Sequence, residues 1–238
     1  MKFETKKSLG QNFIYDTGFL DGVLNKLDLQ KTDTVVEIGT GPGKLTTCLA
    51  KRVAKILTYE IDERLKPILE TEFAGSENIE LVFADGLKAE VAPNVSSFKL
   101  VANIPYYITT PLILKFLRDP RCTEICVLIQ EEVADRIVAK PKCKEYGALS
   151  VTVQAQAECK IIKRVGRGMF RPVPNVDSAF VLIKKNGASV PCGFDEFVKK
   201  LFSQRRKMLR SIIGGNDTRR PEELSVDEIV KLCANTTK

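Results

Sequence analysis

Residues 34–46 read TVVEIGTGPGKLT: a short apolar run, three glycines within five positions and the start of an amphipathic stretch. Val35, Val36 and Ile38 suit a strand, and Lys44–Val53 carries a helical pattern. Between them Gly39, Gly41 and Gly43 let the backbone turn tightly and come close to a ligand. Glu60 ends the next apolar run, 21 residues after Gly39. In an open parallel sheet a carboxylate there reaches over the crevice at the strand ends and can grip ribose hydroxyls. A dinucleotide fingerprint reads GxGxxG, but here its third position falls on Lys44 and a glycine comes one place early. A structural turn would account for the glycines alone. Glu60 at its spacing tips the reading to a nucleoside site, and the displaced third glycine and the missing second nucleotide half disfavour a nicotinamide cofactor.

Outward from this loop the chain alternates apolar runs with amphipathic ones. Strands are expected at Thr34–Ile38, Ile56–Glu60, Ile79–Phe83, Lys99–Ala102, Ile125–Gln130, Cys159–Val165 and Ala179–Lys184. Helices are expected at Lys44–Val53, Glu63–Phe73, Thr110–Leu117, Glu131–Ala139 and Tyr146–Ala157. Near-continuous apolar strands and a βαβα rhythm predict an α/β domain with a doubly wound parallel sheet. A break follows at Asn186-Gly187, and the pattern then turns helical, with Phe194–Ile213 and Ser225–Ala234. The expected division is a domain at 1–186 and a small helical domain at 187–238.

Two further segments fall at strand ends. Asp85, after the third expected strand in FADGL, is placed to accept from an adenine amine, or serves only as a turn residue. After the fourth strand comes VANIPYYITTP at 101–111, with Asn103 at the carboxyl end where ligands bind. Pro105 stiffens this loop, and Tyr106 offers a flat face to a base. The amide oxygen of Asn103 and a loop carbonyl make an acceptor pair for an exocyclic amine. Such bonds turn the nitrogen lone pair out of conjugation and toward an electrophile.

Composition narrows the chemistry. The 238 residues include no histidine, which excludes Ser-His-Asp and Cys-His catalysis, HExxH metal sites and imidazole bases. Seven cysteines, an odd number without a CxxC pair, read as free thiols of a reducing cytosol, and no metal is expected. No apolar run approaches the ~18 residues of a membrane span, and the first residues, Met1 to Glu4, do not read as a signal peptide. A cytoplasmic protein is expected.

Taken in order, five segments resemble the rRNA adenine dimethyltransferases, the KsgA type that acts on the small ribosomal subunit. They are KSLGQNF at 7–13, EIGTGPGKLT at 37–46, NIPY at 103–106, FRPVPNVDS at 170–178 and FSQRRKMLR at 202–210. The resemblance covers nearly the whole chain. It implies a Rossmann-like class I fold and S-adenosylmethionine as cofactor. It implies that Gln11 and Asn12 hold the methionine part, that Gly39 and Gly41 pass beneath it, and that Glu60 binds the ribose. Asp85 would bind the cofactor adenine, with Ile61 packing on it or serving the core. Asn103, also counted with the cofactor site, would hold the target amine, and Tyr106 and Phe170 would sandwich the target adenine. An isolated Phe is more often core, but Phe170 sits beside a rigid Pro172–Pro174 segment that suits stacking.

The formal charge of +7 is clustered. One cluster holds Lys160, Lys163, Arg164, Arg167 and Arg171. The other, without acidic residues, holds Lys199, Lys200, Arg205, Arg206, Lys207 and Arg210. A solvated face explains either one alone; together with the loops above they fit RNA phosphates, with Arg167, Arg171, Lys199, Arg205, Arg206, Lys207 and Arg210 as the contacts. The resemblance implies dimethylation of two adjacent adenosines near the 3′ end of small-subunit (16S) rRNA during assembly; a monomer is expected. Two rivals remain: a macrolide-resistance type acting on large-subunit rRNA, and a non-catalytic ribosome assembly factor on the same scaffold.

Overall fold

The computed structural model describes Lys6 and residues 9–236. Met1 to Glu4, and Lys7 and Ser8 of the KSLGQNF segment, lie outside the described residues. Two compact units emerge, one from residues up to Glu131 with Ile161–Leu182, the other from Glu132–Lys160 with Ile183–Lys238.

The first unit holds most of a seven-stranded sheet. Its strands are β2 (Thr34–Ile38), β3 (Lys55–Glu60), β4 (Ile79–Phe83), β5 (Phe98–Asn103), β6 (Cys122–Gln130), β7 (Ala157–Val165) and β9 (Ser178–Lys185). The order is β4-β3-β2-β5-β6-β9-β7. Strands β2 to β6 pair in parallel, with Val36 opposite Leu57 on one side and Leu100 on the other. All seven expected strands are therefore in one sheet. The order reverses at β2 and β5, the switch point at which open α/β sheets bind ligands.

Sequence pattern explains the buried strands. Val35, Val36, Leu100, Val101 and the run from Ile125 to Ile129 are essentially inaccessible, as expected for strands covered on both faces. Helix α4 (Thr109–Arg118) turns Leu112, Ile113, Phe116 and Leu117 inward, an i, i+1, i+4, i+5 stripe. Phe98 and Phe116 meet edge to face at 6.0 Å. Helices α1 (Thr17–Leu24), α2 (Lys44–Ala50) and α3 (Lys66–Glu72) complete the unit. A second, two-stranded pairing escaped the sequence reading: β1 (Phe13–Ile14) runs antiparallel to β8 (Phe170–Arg171). Two residues are too few to show a period of two.

The second unit is helical. Helices α5 (Glu131–Val138), α6 (Ala148–Gln154), α7 (Phe194–Ser203), α8 (Arg210–Ile213) and α9 (Val226–Thr236) surround a core of Tyr146, Phe194, Val198, Leu201, Leu209, Leu224 and Ile229. Tyr146 donates to the Leu224 carbonyl at 3.0 Å. Gln154 ties the end of α5 by donating to the Ile137 and Ala139 carbonyls. Residues 132–160 thus group with the C-terminal helices, whereas the sequence reading divided the chain at 186. Periodicity shows that α5 and α6 each have an apolar face, not which elements cover it.

One expected helix is broken. The helical pattern predicts one helix over Phe194–Ile213, but α7 stops at Ser203 and α8 begins at Arg210. Between them Leu209 and Arg210 donate their backbone N–H groups to the Arg219 and Asp217 carbonyls. Arg205 is drawn inward to Glu222 and to the Cys143 and Lys144 carbonyls. These long-range partners outweigh the local helical preference of the segment.

Candidate active site

A cavity of about 340 Å³ opens at the carboxyl ends of β2 to β5. Its floor is the glycine loop, where Gly39 and Gly41 have φ of +84° and +55°. A Cβ on Gly41 would stand 2.8 Å from the Phe13 ring, so bare backbone is required there. Gln11, Asn12, Gly39, Gly41, Glu60, Ile61, Asp85, Asn103, Pro105 and Tyr106 all line this one cavity.

Glu60 is almost fully buried at the end of β3. Its Oε2 accepts from the Gly41 N–H at 2.8 Å, and Oε1 accepts from the Ile61 and Asp62 N–H groups at 2.9 Å each. A carboxylate offers about four acceptor positions, so about one remains for an outside donor. Burial pushes its pKa up, and the three backbone donors pull against that. Ile61 stands 51% exposed at the cavity, on neither of the core clusters. Asp85 lines the same cavity; its Oδ1 accepts from the Leu87 N–H at 3.0 Å, so it is also the turn residue.

The segment that carries Gln11 and Asn12 is strapped across the strand ends. Gln11 donates to Asp62 at 2.8 Å and accepts from the Lys6 N–H at 2.8 Å. Both polar ends of Gln11 are thereby used within the chain. The Arg64 guanidinium beside Asp62 holds that carboxyl down, to about 2. Asn103 donates its amide to the Asn12 carbonyl at 2.9 Å. That bond uses one of the two amide N–H donors and fixes which end of the amide is nitrogen, leaving Oδ1 as the acceptor end. In the loop that Pro105 begins, the Pro105 carbonyl accepts from the Ile108 N–H at 3.1 Å. Tyr106 is half-buried, and its hydroxyl meets Ser178 Oγ at 2.7 Å. Burial pushes the Tyr106 phenol up.

Phe170 departs from expectation. It has no accessible surface, does not line the cavity, and packs in the core with Ile14, Val165 and Phe180. Pairing of β8 with β1 opposite Ile14 sets it there. It does not form one wall of a base slot here; the core role, the commoner one for an isolated Phe, is the one observed.

The basic residues divide as well. In the first unit Arg167 and Arg171 are exposed, with Arg171 donating to the Gly168 and Phe170 carbonyls. In the second unit Lys199, Arg206, Lys207 and Arg210 are exposed, whereas Arg205 pairs with Glu222. Arg205 is an internal clamp of that unit.

Three residues were missed. Lys115, on α4, donates to the Gly86, Leu87 and Ala89 carbonyls and holds the loop that carries Asp85. Ser178 anchors Tyr106. Glu37, inside the apolar run of β2, is fully buried under the glycine loop. Its Oε2 accepts from Thr46 and Thr58, its Oε1 has no partner among the described residues, and the residue lines the cavity. A charged residue inside a strand covered on both faces was the signal available.

Burial pushes Glu37 up to about 8, against the pull of the two threonine hydroxyls. The folded chain then holds a proton that the unfolded chain releases near the ordinary carboxylate value. Its contribution is fully present in acid and is lost as pH rises toward 8. The Tm of Glu37→Gln is expected to fall less than that of the wild-type protein between pH 5 and pH 8. The gap is several degrees, at roughly 2–4 °C per kcal/mol for a chain this size. Parallel Tm curves would remove the buried proton.

The model of the family described as "Ribosomal RNA adenine dimethylase" matches residues 2–235. The chain is 43% identical to the ribosomal RNA small subunit methyltransferase A of Bacillus licheniformis, with 87% of this chain and 75% of that protein covered. It is 38% identical to the protein of that name from Clostridioides difficile, with 95% and 89% covered. Among solved structures, a dimethyladenosine transferase from Plasmodium falciparum superposes with a TM-score of 0.86 at 24% identity, covering 94% of this chain and 97% of that one. At that identity the likeness speaks for the fold. The 23S rRNA methyltransferase ErmE gives 0.74 at 27% identity, with 95% and 100% covered.

Proposed function

The chain belongs to the ribosomal RNA adenine dimethylase family, and we propose that it dimethylates the exocyclic amines of two adjacent adenosines near the 3′ end of small-subunit rRNA. It is an S-adenosylmethionine-dependent methyltransferase of Rossmann-like fold. The single observation that carries the residue assignment is the Asn103–Asn12 hydrogen bond, which leaves an oriented acceptor at the mouth of a nucleoside-sized cavity.

The residues present fit the cofactor. Gly41 admits no Cβ, because the Phe13 ring stands 2.8 Å from where it would be, so the loop offers bare backbone to a ligand. Glu60 keeps an acceptor position beyond its three backbone donors, and Glu37, whose Oε1 is unpartnered among the described residues, lines the same cavity. Glu60 would hold a ribose hydroxyl, Asp85 the adenine with Ile61 against its face, and Gly39 and Gly41 would lie beneath. Gln11 and Asn12 would act by closing the strap over the methionine end. When bound, S-adenosylmethionine supplies an electrophilic methyl on a sulfonium.

Asn103 and the loop backbone would accept both hydrogens of the target amine. That geometry holds the lone pair out of the ring, free to attack. The amine is neutral when it attacks, and its proton becomes acidic as the new C–N bond forms. No imidazole is needed, and the chain has none. Tyr106 would supply a stacking face worth ~1–3 kcal/mol, offsetting part of the few kcal/mol that base flipping costs.

Arg167, Arg171, Lys199, Arg206, Lys207 and Arg210 would contact phosphates of the assembling small subunit. The chain would act as a monomer in the cytoplasm, where that substrate is; among the described residues no helix is long and apolar enough to cross a membrane. Substituting Arg206, Lys207 and Arg210 together by Ala is expected to weaken substrate binding and make its salt dependence shallower by about 2 in log–log slope. Arg205→Ala should instead lower Tm. An unchanged slope for the triple variant would take the phosphate contacts away from α8 and the turn before it.

Methyl transfer to unmethylated small subunits, with the product bases mapped, tests the substrate. Product on large subunits alone would favour the large-subunit rival.

A further inference from the structure

The geometry points to Ser178 as a positioning residue for methyl transfer, acting through the Tyr106 hydroxyl to set the aromatic face against which the target adenine stacks. The inference rests on the reading of Tyr106 given above.

Tyr106 begins a short 3-10 turn, Tyr106–Ile108, directly after Pro105. Backbone and proline fix its Cα, but two side-chain torsions remain, and χ2 of a tyrosine is broad. The ring is half-buried, so packing does not settle its place. Its far end is held by the Ser178 hydroxyl at 2.7 Å, 72 residues along the chain.

Ser178 is a firm anchor. It has no accessible surface and opens β9, which lies between β6 and β7 in the sheet. The residue before it is tied twice: Asp177 Oδ1 accepts from the Arg167 N–H at 2.8 Å, and the Asp177 carbonyl accepts from the Glu131 N–H at 3.0 Å. Glu131 in turn pairs with Arg164. The backbone next to the hydroxyl that Tyr106 meets is therefore held by bonds to two other segments, which Arg164 and Glu131 tie to each other. Phe170 lies in the core, whereas Tyr106, directly after Pro105 in the loop that follows Asn103, lines the cavity together with Phe13, Tyr59, Tyr107 and Phe180, and alone of these is tied to Ser178. Its placement then bears on the reacting geometry, where small misplacements are costly.

A neutral hydrogen bond with one half-exposed partner contributes little to folding. Its loss should be read in turnover more than in stability. Ser178→Ala, Tyr106→Phe and the double variant are compared with the wild-type protein on unmethylated small subunits with labelled S-adenosylmethionine. Each single variant is expected to lose roughly tenfold in kcat, with KM for the subunit changed less and cofactor Kd within twofold of wild type. The double variant should lose no more than a single one, because both remove the same bond.

A kcat for Ser178→Ala within twofold of wild type would overturn the inference. So would losses that multiply in the double variant. Tyr106→Phe covers the case in which Ser178→Ala fails to fold. A crystal structure of Ser178→Ala gives a readout without turnover: a displaced Tyr106 ring is expected, and a ring in its present place sinks the inference. If the wild-type protein is inactive on small subunits, the substrate reading falls, and the crystal structure still decides the role of Ser178.

Discussion

Asn103→Ala is expected to lower methyl transfer by about 10²–10³-fold, the range seen when one preorganised polar group is removed from a reacting centre. The reason lies in how the side chain is set. Its amide donates to the Asn12 carbonyl, so the oxygen that remains is already aimed before substrate arrives. Alanine removes the acceptor and leaves the target amine conjugated with its ring. Asn103→Asp separates two parts of this: an acceptor is kept, but the donor to Asn12 is lost and two oxygens face each other. Its activity is expected between wild type and Ala. Cofactor affinity, read by calorimetry, should stay within a few-fold in both. Near wild-type transfer by Asn103→Ala would remove Asn103 from the chemistry.

Glu60→Ala is expected to weaken S-adenosylmethionine binding by about 100-fold or more, since hydrogen bonds to a charged group contribute ~1.5–3 kcal/mol each. Loss of the ribose partner is only part of this. The carboxylate also gathers the Gly41, Ile61 and Asp62 N–H groups, which alanine would leave without acceptors. The glycine cradle is thus expected to loosen with the same substitution. Glu60→Gln keeps the shape but turns a donor toward one of those N–H groups, so it should not rescue. Calorimetric titration checks both; an unchanged Kd for Glu60→Ala would take Glu60 out of the cofactor site.

The seven sheet strands and their strand-end residues were legible because their signals are local. An apolar run, a glycine turn and a carboxylate at fixed spacing are read within about 20 residues, and the sheet brings their ends to one rim. Asn103 was legible for the same reason: it directly follows the apolar run of β5. Glu37 was present in the quoted stretch but gave no partner list. Its threonines come from α2 and β3, and only folding brings them to one carboxylate.

What the sequence alone determined is therefore the chemistry on offer: a histidine-free chain, a bare glycine cradle, carboxylates and an amide at strand ends, and two basic clusters. Tertiary structure decided how those groups are used. Gln11 is committed to Asp62 across 51 residues, Asn103 to Asn12 across 91 and Tyr106 to Ser178 across 72. Phe170 was sent to the core by a two-residue strand pairing, and Arg205 was withdrawn from the basic face by Glu222. The physical reason is common to all five. Periodicity and propensity act along a few turns of chain, whereas a buried polar group or ring is assigned by whichever distant partner satisfies it.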